Sequence, residues 1–263
     1  MTQPSIDFVI QLCRQAGKIL LDGLDQPHTF THKGPTDFAT EIDRQAEKAI
    51  ITAILEAFPA HGIVAEESGM VNGHHSACWY IDPLDGTLNY AKGLPLFAVS
   101  IAYAENGHMQ LGCVYDPVRG EFFSAQAGQG AFLNGASIRV SQTDELLQAM
   151  LVTGFPHEAE KMDDNLRVFR RFIKKSRSIR RLGSAALDQV YVAAGRLDGY
   201  WEMGLSPWDI AAGTLILKEA GAKVTSFTGN GSYFAPPYDL LTANPKLHKI
   251  LLDELKNAEL IQP

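Results

Sequence analysis

The chain has 263 residues, 46% of them apolar and 20% charged, a balance typical of a globular protein and not of a disordered chain. Lys and Arg total 23 and Asp and Glu total 30, so the formal net charge is −7, which disfavours general binding to nucleic acid or to an anionic membrane. The three cysteines, Cys13, Cys78 and Cys113, are odd in number and lack CxxC spacing. This disfavours a disulfide framework or a zinc cluster and fits a reducing cytoplasm.

Helices and short strands are predicted in turn along the first part of the chain. Apolar residues repeat with helical spacing over residues 5–23, and charged residues within that pattern favour an amphipathic helix over a signal peptide or a membrane span. A second helix is predicted over residues 40–57. Short strands are predicted over residues 63–65 and 78–81.

The middle of the chain predicts an antiparallel meander. Asn106-Gly107 separates two apolar runs, and this dipeptide is a strong hairpin signal. Asn134-Gly135 marks a later turn of the same kind. No helical crossover fits between the runs, so a parallel arrangement is disfavoured here.

Helices and strands alternate after residue 150. The predicted elements are helices over 159–174, 184–195 and 207–221 and from Pro245 onward, and strands over 199–202, 222–226 and 239–243. This change of pattern divides the chain into an N-terminal half, residues 1–145, and a C-terminal half, residues 146–263. No linker rich in Pro, Gly or Ser separates them, so we expect one compact body.

The segment from Trp79 to Tyr90 carries the strongest chemical signal. An apolar strand leads into Asp82-Pro83-Leu84-Asp85, and Pro83 lacks the N–H that a strand ladder needs, so we expect the strand to end there. The two carboxylates and the Leu84 carbonyl can then converge as an all-oxygen cluster, the ligand type that Mg²⁺ prefers. The alternative is an ordinary Asp-Pro-x-Asp-Gly surface turn.

Gly86-Thr87 can open a helix whose free N–H groups suit a phosphate, with the Thr87 hydroxyl placed to orient a water molecule.

Other acidic residues lie at similar positions along the chain. Asp37 and Asp43 flank the start of the second predicted helix, Glu66-Glu67 follow a short strand, and Asp209 begins a later helix. Taken singly, each of these acids is more often a helix cap or a solvated charge than a site residue.

Taken together, four segments resemble the motifs of the inositol monophosphatase family, in the family's order and spacing, over about residues 5–250. They are Lys33 with Asp37, Thr40 and Asp43; Ala65-Glu66-Glu67-Ser68; Trp79 to Tyr90; and Trp208-Asp209-Ile210-Ala211-Ala212-Gly213. The resemblance implies an α+β fold, the five-layered αβαβα sandwich of the inositol monophosphatase and fructose bisphosphatase type. It also implies a homodimer.

The resemblance further implies two or three Mg²⁺ ions in each active site. Glu66, Asp82 and the Leu84 carbonyl would hold the first ion. Asp82, Asp85 and Asp209 would hold the second, and Glu66 would help to hold a weakly bound third. The N-terminal half would therefore supply most of the metal ligands, and the C-terminal half would supply Asp209 and residues that face the substrate.

Catalytic and substrate-binding roles are implied in the same way. Thr87, assisted by Asp43, would orient and deprotonate the attacking water, and Glu66 would take part through its metal ions. The residues implied in substrate binding are Lys33, Gly86, Thr87, Gly183, Ser184, Ala185 and Glu202. Within this set, the N–H groups of Gly86 and Thr87 would bind the phosphate, and Glu202 with the turn at residues 183–185 would face the alcohol.

We therefore expect a cytoplasmic, lithium-sensitive hydrolase that releases phosphate from a small monoester, with inositol 1-phosphate as the preferred substrate. Fructose 1,6-bisphosphate, NADP, 3′-phosphoadenosine 5′-phosphate and histidinol phosphate stay open, because the loops that contact the ring vary most. A protein of another class is also open, one that binds and regulates a partner complex while catalysis is secondary.

Basic residues are concentrated over residues 167–181. They are Arg167, Arg170, Arg171, Lys174, Lys175, Arg177, Arg180 and Arg181. A solvated helix face with ion pairs explains such a run. One alternative is an electropositive rim that attracts anionic substrates. Another is a contact for nucleic acid or for a protein bound to nucleic acid, although few aromatic residues are interleaved for stacking on bases.

Overall fold

A computed structural model describes residues 3–24, 26, 30–32, 38–73, 75–156 and 159–256. Within these residues the chain forms seven α-helices, which are α1 (Ile6–Gly23), α2 (Glu41–Ala57), α3 (Thr87–Ala91), α4 (Ala159–Phe172), α5 (Ala185–Ala193), α6 (Pro207–Glu219) and α7 (Pro245–Lys256). Two 3₁₀ turns lie at Leu146–Gln148 and Ser232–Phe234.

The strands of the first half are β1 (Phe30–His32), β2 (Phe38–Thr40), β3 (Gly62–Ala65), β4 (Gly69–Val71), β5 (Ala77–Asp85), β6 (Ala98–Glu105), β7 (His108–Asp116), β8 (Glu121–Gln126), β9 (Ala131–Leu133) and β10 (Ala136–Ile138). Those of the second half are β11 (Met150–Thr153), β12 (Ser178–Arg180), β13 (Gly199–Glu202), β14 (Lys223–Thr225) and β15 (Leu240–Ala243).

Two large sheets organise the fold. The first has eight strands in the order β10-β9-β8-β7-β6-β5-β3-β4, all antiparallel except for the parallel pair β3 and β5. The second has five strands in the order β12-β11-β13-β15-β14, with β11 parallel to both of its neighbours. β1 and β2 form a separate antiparallel pair.

Helices cover both sheets and also fill the space between them. α1 and α2 pack together on one face of the eight-stranded sheet. α5 and α6 lie between that sheet's other face and the five-stranded sheet. α4 and α7 pack on the outer face of the five-stranded sheet. The layers therefore follow the order αβαβα, and the predicted fold class is confirmed.

Local sequence explains where three of the helices begin. The Ser5 hydroxyl accepts the Phe8 N–H at 3.2 Å and so satisfies a free donor in the first turn of α1. Thr40 and Asp43 form a reciprocal capping box at the start of α2. At α6, Pro207 occupies the first turn and the Asp209 carboxylate accepts the Ser206 N–H at 2.7 Å.

Several element predictions are confirmed, and one detail is wrong. α1 and α2 match the predicted helices within about a residue, and the antiparallel meander is present as β5 to β8. The strand at Pro83 does not end there but continues to Asp85. Pairing with β6 becomes irregular between Asp82 and Asp85, because a residue without an N–H can be accommodated at a bulge in the ladder.

Two other sequence-based expectations concern larger-scale organisation. Among the helices that the structure describes, none is long and apolar enough to cross a membrane. The division into halves at residue 145 and the homodimer both stay predictions.

Asn89 joins the two halves of the chain through its side-chain amide. Its Nδ2 donates to the Leu96 carbonyl at 2.7 Å and to the Leu182 carbonyl at 2.8 Å, and the second bond spans 93 positions of sequence. The residue is 7% exposed, so water does not easily replace these bonds. The asparagine of the Asp-Gly-Thr-x-Asn segment therefore has a structural function.

Replacing Asn89 with Ala leaves two partly buried carbonyl groups without their donor. We expect Asn89→Ala to lower the free energy of unfolding by about 2 kcal/mol. For a chain of this size that corresponds to a fall of roughly 4–8 °C in Tm, measurable by thermal denaturation. Gln148→Ala, which removes an exposed amide bonded only to nearby Glu145, is the control. A Tm for Asn89→Ala within a degree of wild type would contradict this prediction.

Candidate active site

A cavity of about 320 Å³ opens where elements from both halves of the chain meet. Its wall is formed by the end of β5, the start of α3, the N-terminal turns of α5 and α6, and the segments that follow β11 and β13. The volume is in the range of a small-molecule site. Because helices begin and strands end here, several N–H groups and carboxylates face the same space.

Asp82 is a buried member of the acidic wall, and half-buried Glu66 lies beside it. Asp82 is 2% exposed, and burial, followed by the charges of Glu66, Asp85 and Asp209, raises its pKa well above the usual range. A contact with the Glu66 carboxyl group adds to this rise, so the protonated form of Asp82 is favoured. A divalent cation would supply the positive charge that this proton otherwise provides.

Asp85 is held by the first turn of α5. Its carboxylate accepts the Ser184 hydroxyl, the Ala186 N–H at 2.7 Å and the Ala185 N–H at 3.3 Å. These bonds stabilise the ionised form, but burial outweighs them and still raises the pKa of Asp85. The turn that the sequence predicted to face the alcohol therefore also holds a predicted metal ligand.

Asp209 approaches the same space from the N-terminus of α6. Burial raises its pKa well above the ordinary value, and the charges of Asp85 and Glu66 add to this effect. The capping bond from Ser206 opposes the shift but does not cancel it. Three acids from β5 and α6 therefore repel one another within a single cavity.

Thr87 and Asp43 form a hydrogen-bonded pair beside this acidic wall. The Thr87 Oγ1 atom lies 3.2 Å from Asp43 Oδ1 and 3.1 Å from the Leu84 carbonyl oxygen, so the hydroxyl can donate to either. The other Asp43 oxygen accepts the Thr40 N–H at 2.8 Å. Burial raises the pKa of Asp43, although the Thr40 bonds oppose the shift.

Gly86 makes the turn between β5 and α3 possible. Its φ is +95°, a conformation that residues with a side chain rarely adopt. A Cβ atom there would also lie 2.9 Å from the Leu96 carbonyl oxygen. Gly86 therefore lets the chain turn sharply and bring Thr87 next to Asp43.

Glu202 occupies another part of the wall, at the end of β13. The Tyr200 hydroxyl donates to its Oε2 at 2.6 Å, and burial raises the pKa of Glu202 to about 7 despite that bond. Gly154 lies against this carboxylate, since a Cβ atom there would overlap Glu202 Oε1. A larger residue at position 154 would displace the Glu202 carboxylate.

The structure brings most of the predicted site residues together. The cavity is lined by Glu66, Asp82, Leu84, Asp85, Gly86, Thr87, Gly183, Ser184, Ala185, Glu202 and Asp209. Asp43 lies behind Thr87 and contacts the site through it. Lys33, as well as Asp37, lies outside the described residues.

Sequence reasoning missed two acidic residues. Asp188 lines the cavity, and Glu47 accepts the Glu67 N–H at 2.8 Å and the Ser68 hydroxyl. Arg181, the last residue of the predicted basic run, also lines the cavity. Glu47 lies one helical turn after Asp43, so i, i+4 spacing could have indicated it. Asp188 likewise follows Ser184 by one turn of α5, which places it on the same helix face.

The acidic wall fits a divalent cation by its chemistry, although its side chains make other bonds here. Among the described residues, no group of three or more His, Cys, Asp or Glu side chains has the arrangement of a formed metal site. Asp85 and Asp209 instead accept backbone and hydroxyl donors. Carboxylate oxygens are nevertheless the ligands that a hard cation such as Mg²⁺ prefers. The positive charge of the cation would stabilise the ionised carboxylates, whose pKa values are raised in its absence.

Comparison with known proteins identifies the relationship that these motifs indicated. Residues 1–260 match the model of the inositol monophosphatase family. The chain belongs to this family.

Relatives of known structure and curated sequence cover nearly the whole chain. Nus factor SuhB of Vibrio cholerae is 41% identical over 257 residues, covering 96% of each chain. The extragenic suppressor protein suhB of Bartonella henselae superposes with a TM-score of 0.91 at 37% identity, covering 94% of this chain and 96% of that one. Inositol monophosphatase from Anabaena has a TM-score of 0.87 at 39% identity, covering 96% and 95%. The family supports a phosphatase, while the relatives carry two different functional names.

The raised carboxyl pKa values predict that the metal-free protein loses stability as pH rises. The folded state holds protons on Asp82, Asp209 and Glu202 that the unfolded chain releases near pH 4, so folding becomes less favourable between about pH 4 and the folded pKa values, about 7 for Glu202. In EDTA we expect the Tm to fall by several degrees between pH 5.5 and 8. Added Mg²⁺ should raise the Tm more at pH 8 than at pH 5.5.

Thermal denaturation across this pH range measures the effect. Glu202→Gln should reduce the fall, because the neutral amide does not titrate. Glu56→Gln, the same chemical change at an exposed position of α2, is the control. A metal-free Tm that stays constant or rises with pH would show that the buried carboxyl groups do not govern stability.

Proposed function

We propose that this protein is a Mg²⁺-dependent phosphatase of small phosphate monoesters and that inositol 1-phosphate is its preferred substrate. One observation carries the proposal: buried, mutually repelling carboxylates line a small-molecule cavity beside the Thr87–Asp43 pair. Family membership and the name of the Anabaena relative support the same chemistry.

The acidic wall has enough oxygen ligands for the proposed cations. Glu66, Asp82 and the Leu84 carbonyl would hold one Mg²⁺. Asp82, Asp85 and Asp209 would hold a second, and Glu66 would also help to hold a third. Bound Mg²⁺ would lower the pKa of the attacking water and stabilise the negative charge of the leaving oxygen.

The protein's own residues would handle the proton and the orientation of the water. When the Thr87 hydroxyl donates to Asp43, its oxygen is free to accept a hydrogen bond from the water. The water's proton can then move toward Thr87 as the Thr87 proton moves to Asp43. Burial supports this role, because it raises the pKa of Asp43 and so makes the carboxylate a better base.

The rest of the cavity would bind and orient the ester. The N–H groups of Gly86 and Thr87, at the start of α3, are suited to the phosphate oxygens. Glu202 and the turn at residues 183–185 would face the alcohol. A role for Lys33 in substrate binding stays a prediction. Fructose 1,6-bisphosphate, NADP, 3′-phosphoadenosine 5′-phosphate and histidinol phosphate are the alternative substrates, and the residues around Glu202 would distinguish among them.

A second candidate function is regulatory binding to a protein or nucleic-acid partner. The name Nus factor SuhB, carried by relatives about 41% identical, favours it. The basic run offers a matching surface, although part of it is already paired: Arg171 and Lys175 contact Glu254, and Arg167 contacts Asp164. Arg170, Lys174, Arg177 and Arg180 are exposed. Homodimer formation, cytoplasmic location and inhibition by millimolar lithium also stay predictions.

Phosphate release by the purified protein tests the enzymatic proposal. The panel is inositol 1-phosphate and the four alternative substrates, each with and without Mg²⁺. We expect Mg²⁺-dependent release that is fastest for inositol 1-phosphate. Thr87→Ala should lower kcat by roughly 10²–10⁴, since it removes the group that orients the water and passes on its proton.

Asp85→Asn should abolish activity in the same assay, because it removes a proposed metal ligand. Asp163→Asn, the same change at an exposed position of α4, is the matched control and should retain activity. The enzymatic proposal would be wrong if the wild type released no phosphate from any substrate with Mg²⁺, or if Asp85→Asn were as active as wild type.

Complementation of a strain that lacks this protein separates the two functions. If the biological effect of the protein depends on catalysis, the Asp85→Asn variant should fail to complement the strain. The double variant Arg170→Glu, Lys174→Glu should then complement it. If the effect depends on binding through the basic run, we expect the reverse pattern. Equal amounts of folded protein, checked by Tm and by immunoblot, are required for the comparison.

A further inference from the structure

Asp188 is a buried carboxylate that the proposed reaction does not use. It lies in the first turns of α5, is 1% exposed and forms part of the cavity wall. Neither of its oxygens has a hydrogen-bond partner among the described residues. Burial raises the pKa of Asp188 well above the usual range, and an acid group buried without a hydrogen-bond partner is costly, so a donor from a bound ligand would stabilise this position.

Nearby donors are already bonded to other acceptors. The Tyr200 hydroxyl donates to Glu202, and the Ser184 hydroxyl donates to Asp85. The positive charge of Arg181 acts on Asp188 at a distance, but it forms no hydrogen bond with either Asp188 oxygen. The two Asp188 oxygens are therefore acceptors without a donor in this part of the wall.

The position of Asp188 indicates which part of a ligand would reach it. Ser184 and Ala185, one turn earlier on α5, hold Asp85 in the acidic wall. The Asp188 side chain interacts electrostatically with both Asp85 and Glu202. Asp188 is thus near enough for the charges of both Asp85, proposed to bind metal, and Glu202, proposed to face the alcohol, to raise its pKa.

We propose that Asp188 is a specificity-determining residue that accepts a hydrogen bond from a hydroxyl group of the substrate's alcohol. This inference rests on the proposed function. A polyol brings several hydroxyl donors into a wall that has acceptors to spare, whereas a simple aryl ester brings none. A site built to bond a hydroxyl group discriminates strongly against a ligand that lacks it, because the buried acceptor is then left unpaired.

Asp188→Asn tests this role with little change in shape. The substitution replaces an acceptor oxygen with an NH₂ donor, so a bond from a substrate hydroxyl is weakened or lost. We compare kcat/KM for inositol 1-phosphate with that for 4-nitrophenyl phosphate, using the Mg²⁺-loaded protein. The ratio of the two values should fall about tenfold or more, chiefly through KM for inositol 1-phosphate.

Two further variants serve as controls. Asp198→Asn makes the same chemical change at a carboxylate that accepts the Met150 N–H at 2.7 Å and does not line the cavity, so it should leave the ratio as in wild type. Asp188→Ala, which removes the acceptor without adding a donor, should lower the ratio in the same direction. Tm values show whether each variant is folded.

Direct binding keeps the inference testable even without turnover. Calorimetric titration of the Mg²⁺-loaded protein with myo-inositol should show binding to wild type and to Asp198→Asn, and binding at least about tenfold weaker to Asp188→Asn. If Asp188→Asn does not fold, the Asp188→Ala data decide. If neither variant folds, Asp188 is a structural residue and the inference is wrong.

The outcomes separate this inference from the proposed function. Wild-type hydrolysis with an unchanged ratio in Asp188→Asn would overturn the role of Asp188 and leave the phosphatase proposal intact. An equal loss for both substrates would assign Asp188 to structure or metal binding, which also overturns it. If the wild type hydrolyses nothing, the proposed function fails, and the myo-inositol titration alone decides whether Asp188 binds a polyol hydroxyl.

Discussion

The mutual repulsion of buried carboxylates is the constraint on which the rest of this site depends. Asp82, Asp85 and Asp209 face one cavity, burial raises the pKa of all three, and the charges of neighbouring acids raise the pKa values of Asp82 and Asp209 further. Such a group is unfavourable unless protons, N–H donors or cations offset its charge. The described structure supplies N–H donors around Asp85, and the raised pKa of Asp82 favours its protonated form. A cation would replace the protons and leave the donors in place.

Helix N-termini explain how the fold can hold these acids close together. Asp43 and Asp209 each occupy the third position of a helix and accept the N–H of the residue that caps it. Asp85 lies outside α5 but accepts N–H groups from that helix's first turn. The donors and dipole of a helix start favour negative charge, so one local device both begins a helix and positions a reactive carboxylate.

The middle layer of the sandwich places two of these helix N-termini at the cavity. α5 and α6 pack between the two sheets, so their first turns meet the end of β5 from the first half and β13 from the second. The Asn89 bonds join α3 to the segment before α5. A catalytic role would depend on this junction, whereas a binding role through the basic run would depend on a surface near α4. The same fold therefore has separate regions for the two roles that the names of its relatives indicate, inositol monophosphatase and Nus factor.

The sequence by itself determined the family, the fold class and most of the acidic residues that line the cavity. Those properties are encoded in contiguous patterns: helical and strand periodicity, capping residues, Asn-Gly turns and four motifs in order. Only the tertiary structure decided that Ser184 and Ala186, about 100 positions away, hold Asp85, and that Asp188 is buried without a partner. It also decided that β5 continues through Pro83. Burial and the presence of hydrogen-bond donors depend on residues that are distant in sequence, so no local sequence pattern predicts them.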